Sequence, residues 1–379
     1  MRRITIATLC VSWLFASYGC PSNHHQPGAT ASRATPYVYV SGYDPTISIF
    51  ELDSATGALT KVGTATDGAL QNPSYMSISP DKKYLYAIDE AEHGEGKVVA
   101  FKINPTDGSL HKINDASSGG VGSPHLAVHP NGRLLILAHY FSGHVASFKL
   151  DANGGIISPP ADLHQPARKT SHQVVFDSSG AHVFVPNVDA NTVFQYAVDA
   201  PTGKLTFNGP VVGYAPRQGP RHMAFHPNWK WAYTVNEPAD TVSQLTYDSK
   251  TGKLSDPQTI SALPPGATYG RAGNPGAHII VHPSGKFVYS SNRGHNSISL
   301  FTVDQTTGRL TLSGNQTAGG MIKNPRDFGM DPTGNFLIVA NQDGDNLIVF
   351  AIDPSDGSLT MRQVQATPPK PTFVGFLVR

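Results

Sequence analysis

At 379 residues the chain is long enough for one large domain or two ordinary ones with a sizeable core. Only 15% of its residues are charged and the formal net charge is +1, which leaves no electrostatic footprint for nucleic acid or a membrane surface. The 37 glycines and 30 prolines are spread along the chain, which argues against long helices and suits short strands joined by tight turns.

The first twenty residues read as a secretory leader. Arg2 and Arg3 precede an apolar run from Ile4 to Ala16, followed by small residues up to Gly19 and Cys20. Cys20 resembles the lipidated cysteine of a lipobox, with Ser17 where Leu is usual, so a lipid anchor and ordinary cleavage stand as alternatives. Residues 21–36 are rich in Ser, Thr, Pro and Gly and read as a flexible tether to a domain spanning 37–379. Export to the periplasm or the cell envelope follows. Both cysteines, Cys10 and Cys20, belong to the leader, so the mature domain has no internal disulfide, thiol nucleophile or Cys-ligated zinc. Beyond the leader no apolar run is long enough to span a bilayer.

From Tyr37 onward one unit recurs with a period of about fifty residues. It consists of Pro, a strand, a Pro-Asx-Gly turn, a second strand ending in Asn, a third strand, then Asp-x-x-Thr-Gly-x-Leu. Copies run from Pro73 to Leu110, Pro124 to Ile156, Ser171 to Leu205, Pro220 to Leu254, Pro275 to Leu310 and Pro325 to Leu359. Tyr37 to Leu59 has the second half of a unit and Pro371 to Val378 the first half of another. Together they complete a seventh. The pattern predicts an all-β, seven-bladed β-propeller whose ring is closed by a blade shared between the two chain ends. His129, His226 and His282, each followed by Pro, fall in the turn between first and second strands and read as turn residues.

The innermost strands of a propeller surround a channel, and polar residues that vary between blades at one mouth are where a small ligand binds. The repeat phase places Ser74, His125, His172, Arg221, Gly276, Arg326 and Thr372 at the starts of first strands. It places Glu90, Tyr140, Val188, Glu237, Arg293, Gln342 and Tyr43 at the ends of second strands. In an antiparallel hairpin the two sets share one end. Imidazole and guanidinium groups outnumber Glu90 and Glu237 on that rim, which suits a small anionic molecule bound by guanidinium forks. A plain ion pair between Arg221 and Glu237 is the competing explanation. His222, next to Arg221, should point to the opposite face by strand alternation. Asn187, Asn236, Asn292 and Asn341, with Asp89 in phase, read as side chains bonding local backbone rather than calcium ligands. No phosphate-cradling Gly loop, G-x-S-x-G elbow or H-E-x-x-H helix is present, so no metal or cofactor is expected.

GPRHMAFHP at 219–227, VNEP at 235–238, SNRGHNSI at 291–298 and NPRDFGMDPTGNFLIVANQDGDNLIVF at 324–350 resemble the seven-bladed propeller lactonases. That family includes bacterial 6-phosphogluconolactonase and the fungal carboxy-muconate lactonizing enzyme. The resemblance implies opening or formation of a lactone ring without a metal. It assigns the chemistry to His172 in SHQVVF, Arg221, Glu237 and Arg293; His125, Arg326 and Glu90, placed by the repeat phase, and His222, beside Arg221, are expected as further substrate contacts. His172 or Glu237 would activate water while Arg221 and Arg293 hold the oxyanion and an anionic group. Because the leader directs the chain outside the cytosol, an unphosphorylated sugar lactone or a carboxylated lactone is as consistent as a phosphorylated one. A lactonizing isomerase and a non-catalytic binding propeller are the rival readings. The charged rim with a candidate base favours the hydrolase, since binding platforms more often display contiguous exposed aromatics.

Overall fold

A computed structural model describes residues 35–68, 70–267 and 275–378. The leader, with Cys10 and Cys20, and all but the last two residues of the 21–36 tether lie outside the described residues.

Among the described residues, 28 strands form seven four-stranded antiparallel sheets. Six are continuous in sequence: blade 1 over 76–117, blade 2 over 125–164, blade 3 over 175–213, blade 4 over 220–261, blade 5 over 276–316 and blade 6 over 325–366. Blade 7 combines Pro371–Leu377 with three strands from 37–66. Its seam is an antiparallel ladder running from Tyr37 opposite Leu377 to Gly42 opposite Pro371, so the ring closes through backbone hydrogen bonds between the chain ends.

Blades stack face to face, so the middle strands are buried on both sides. Phe336–Asn341, FLIVAN, is buried throughout, whereas the outer strand Leu59–Thr66 alternates and meets solvent. The second strand of blade 6 packs through Phe336, Ile338 and Ala340 against Val38, Val40 and Phe50 of blade 7.

Polar clips join each blade to the next. The hydroxyls of Tyr39, Tyr86, Tyr233 and Tyr289 donate to the carbonyls of Gly108, Gly154, Gly308 and Gly357, glycines of the turn between third and fourth strands one blade on. Gly308 has φ of 76° and a Cβ there would lie 2.4 Å from the Trp231 ring, so both backbone and packing require glycine. The histidines of the His-Pro pairs do more than turn the chain. Nε2 of His129, His226 and His282 lies 3.0, 2.9 and 3.0 Å from the carbonyl of Gly180, Gly285 and Gly334 in the following blade.

The first strands of blades 4, 5 and 6 carry a register shift at their inner ends. Pro220 opposes Asn236 and His222 opposes Val235, leaving Arg221 as an extra residue. Gly276 and Pro325 stand where Pro220 does, opposite Asn292 and Asn341. Such bulges re-aim side chains that simple alternation would send to opposite faces.

Candidate active site

The hairpin ends converge on an axial cavity of about 590 Å³. Six of the seven second-strand ends line it, Tyr43, Glu90, Tyr140, Glu237, Arg293 and Gln342, as do His172, Arg221 and Arg326 from the first strands. Asn72, Glu92, Phe141 and Lys370 complete the wall. These four come from loops beyond the strand ends, which the repeat phase does not number. Val188 and Thr372 are not part of this wall.

Below the cavity the channel narrows to a void of about 10 Å³, lined in part by Ser74, Tyr75, Pro124, His222, Asp327 and Thr372. Two expectations are corrected here. His222 does not point away from Arg221, because the bulge turns both side chains toward the axis. His125 is not on the rim: it is buried beneath the cavity, its ring 4.0 Å from Tyr75 and 5.7 Å from His222. The leading Pro is an unreliable phase marker, since blades 2 and 5 are displaced by one residue. Counting back four from the turn residues Ser79, His129, Asp177, His226, His282 and Asp331 gives Tyr75, His125, Gln173, His222, His278 and Asp327. These residues form a second, deeper ring. Pro124 and Ala277, rather than His125 and Gly276, thus occupy Arg221's level in their blades.

Glu237 joins two arginines. Arg293 Nη2 donates to its Oε1, while Arg293 Nε is held by the Pro275 carbonyl at 3.1 Å. Arg221 is 2% exposed, and its Nη1 donates to the Ala277 carbonyl at 2.5 Å. Its Nε lies 3.8 Å from Glu237 Oε2, and neither atom has a hydrogen-bond partner. A buried donor and a buried acceptor left open side by side are a site for a ligand that supplies both. Burial alone would raise the Glu237 carboxyl, but Arg221 and Arg293 overcome it and hold the group below its ordinary range. Burial, with the Arg293 cation adding to it, lowers Arg221 to about 9, so it stays cationic at neutral pH.

On the opposite wall Arg326 Nη2 lies 3.5 Å from Glu90 Oε1 and its guanidinium sits 5.3 Å from the Tyr43 ring centroid. The Tyr43 hydroxyl donates to Glu90 Oε2 at 3.0 Å. With Lys370, the wall carries four cations against Glu90, Glu92 and Glu237. Glu237 engages Arg293 and Glu90 engages Arg326, leaving Arg221 as the guanidinium of this wall without a carboxylate at hydrogen-bond distance.

His172 is buried at the cavity floor, with Nδ1 3.2 Å from His222 Nε2. Burial, then Arg221, Arg326 and Arg293, push its imidazole well below the usual histidine range. The Asn set engages local groups. Asn236 donates to Thr241 and Ser243, Asn292 to Ser297 and Ser299, and Asp89 accepts from the Gln71 and Asn72 amides.

A closed ring of seven four-stranded blades with charged side chains gathered at one mouth of its axis defines a β-propeller with a small-molecule site. The family model described as lactonase, seven-bladed β-propeller, matches residues 37–376, and the chain belongs to that family. It is 33% identical over 301 residues to a 6-phosphogluconolactonase of Bacillus subtilis (strain 168), covering 77% of this chain and 83% of that protein. A 6-phosphogluconolactonase of Pectobacterium carotovorum is 32% identical over 287 residues, covering 75% and 81%. Among solved structures, a Lactobacillus plantarum protein superposes with a TM-score of 0.80 at 28% identity, over 90% of this chain and 99% of that one. A periplasmic gluconolactonase of Pseudomonas aeruginosa shares the fold, with a TM-score of 0.81 at 24% identity over 91% and 100% of the two chains. No helix among the described residues is long and apolar enough to cross a membrane.

Proposed function

We propose that the lactone is opened in the axial cavity, with His172 as general base and Arg221 and Arg293 as the oxyanion site. Hydrolysis of a sugar-acid lactone as the activity follows from the family and from the 6-phosphogluconolactonase relatives. The observation that carries the assignment of roles is the unpartnered pair, Arg221 Nε and Glu237 Oε2, 3.8 Å apart and buried. A guanidinium N–H there donates to the carbonyl oxygen as it gains charge, in a site where water screens little. Glu237, held ionised by its two arginines, is a weak base. It orients Arg293 and accepts a hydrogen bond from a substrate hydroxyl.

In the reaction a water attacks the lactone carbonyl carbon and gives its proton to His172. The tetrahedral oxyanion rests on Arg221 and Arg293. Collapse breaks the bond to the ring oxygen, which takes the proton back, and an open-chain hydroxy acid leaves. Arg326 and Lys370 supply the anchor for an anionic or polyhydroxyl tail.

The Arg2-Arg3 leader supports export, and with it an unphosphorylated sugar-acid lactone as substrate. Cell fractionation, with mass spectrometry of the mature N-terminus, reads both export and a lipid on Cys20. Protein confined to the cytosol with an intact Met1 would remove the export reading. Proton release by purified protein on δ-gluconolactone, its 6-phosphate and a carboxylated muconolactone, with and without EDTA, tests the activity. Turnover that survives EDTA supports a metal-free lactonase and ranks the substrates. Folded protein inactive on all three would point to the binding propeller, and activity lost to EDTA would require a metal.

A further inference from the structure

We propose that the mouth of the cavity is a subsite for a second sugar, held against Phe141, so that the preferred substrate is the δ-lactone of a disaccharide acid carrying a glycosyl group on O4. The inference rests on the lactone being opened at His172 and Arg221. Phe141 is 47% exposed. Other large apolar side chains that solvent reaches, such as Val62, Leu163, Phe207 and Met361, lie on the outermost strands of their blades. Phe141 is the one of this class, among the described residues, that lines the cavity. An apolar ring that stays wet in a wall of charged groups is a place for a ligand with C–H surface.

The fold holds this ring in place before any ligand arrives. The Tyr140 amide donates to the Gly122 carbonyl at 2.6 Å, the Phe141 amide to the Val121 carbonyl at 3.2 Å, and the Val121 amide to Ser142 Oγ at 3.0 Å. Gly122 has φ of 64°, and a Cβ there would overlap the Phe141 ring, so the ring rests against glycine backbone. A side chain fixed in this way loses little freedom on binding.

Three rings then step from mouth to floor. Phe141 packs edge-on to Tyr140 with centroids 5.4 Å apart, and the half-buried Tyr140 packs in the same way on the buried His172 at 5.6 Å. Each step matches the length of one sugar unit in a 1,4-linked chain. With C1 of a six-membered lactone at His172 and Arg221, the lactone ring lies beside Tyr140. C4 stands across that ring from C1 and faces the mouth, so a glycosyl group on O4 continues past Phe141. The cavity, of about 590 Å³, falls in the range that encloses ligands larger than one sugar ring. Its wall also carries Asn72 and two exposed charges of opposite sign, Glu92 and Lys370. That mixture supplies acceptors as well as donors, which suits sugar hydroxyls, whereas a phosphate would meet Glu92 as a like charge.

Proton release by the full chain, corrected for spontaneous opening, should give a KM for cellobiono-δ-lactone about fivefold to tenfold below that for δ-gluconolactone at similar kcat, the worth of covering the exposed half of a phenyl ring. Phe141→Ala should raise the KM for the disaccharide lactone by that factor and remove the preference, and Phe141→Tyr should keep it. Equal KM values for the two lactones in the unaltered protein, an equal loss on both in Phe141→Ala, or a lower KM for the 6-phosphate of gluconolactone than for the disaccharide would overturn the subsite. Calorimetry separates the subsite from the catalytic reading. Cellobionic acid, the product, should bind more tightly than gluconic acid, and Phe141→Ala should abolish the difference. Equal binding of the two acids would overturn the subsite even in an active enzyme. Folded protein inactive on both lactones that keeps the difference in binding would instead remove the catalytic reading and leave the subsite.

Discussion

Replacing Arg221 by Met should abolish most turnover while leaving the propeller folded. Arg221 Nε lies buried 3.8 Å from Glu237 Oε2, and neither atom has a hydrogen-bond partner. Loss of one preorganised donor to an oxyanion costs about 2.7–4 kcal/mol in the transition state, a fall of about 10² to 10³ in kcat. Met has nearly the reach of the arginine stem, so packing against the channel is largely kept. The folded state loses the bond to the Ala277 carbonyl, 2.5 Å from Nη1, worth about 1–3 kcal/mol if the acceptor stays dry. Release from burying a guanidinium next to Arg293 offsets part of that. Proton release against δ-gluconolactone gives kcat and KM, and a thermal melt gives the stability change. If kcat stays within threefold of the unaltered protein with the fold intact, the oxyanion role belongs elsewhere.

Glu237→Gln should lower kcat about tenfold to a hundredfold and raise KM, because Arg293 loses the carboxylate that aims it; steady-state kinetics showing no change in either parameter would reduce Glu237 to a bystander. Tyr233→Phe strands the buried Gly308 carbonyl, now bonded at 2.9 Å, and should cost about 1–3 kcal/mol in urea denaturation with activity unchanged. A stability equal to that of the unaltered protein would show that these inter-blade clips do not hold the ring. Asp327 has a folded value of about 7 against an ordinary 3.8, so the stability it contributes is full below about pH 4 and lost as pH rises through 7. Between pH 5 and pH 8 the melting temperature should therefore fall more in the unaltered protein than in Asp327→Asn, and parallel curves would contradict the buried carboxyl's shift.

The sequence by itself determined the blade count, the closure through Tyr37–Gly42 and Pro371–Leu377, and the end of each hairpin that faces the cavity. These are properties of a repeat: one unit cannot bury both faces alone, so its period and two half-units specify a ring. It also placed His172, Arg221, Arg326, Glu90, Glu237 and Arg293 at one mouth, because residues at the same phase of an antiparallel hairpin meet at the same level. Depth along the axis was decided by tertiary structure. The bulges in blades 4, 5 and 6 break the two-residue period, so both Arg221 and His222 reach the channel, while His125 drops below the cavity. The contacts inside the site, Arg293 with Glu237 and His172 with His222, join residues about fifty positions apart on successive blades. Their distances depend on how neighbouring sheets pack around the axis, which no local pattern encodes.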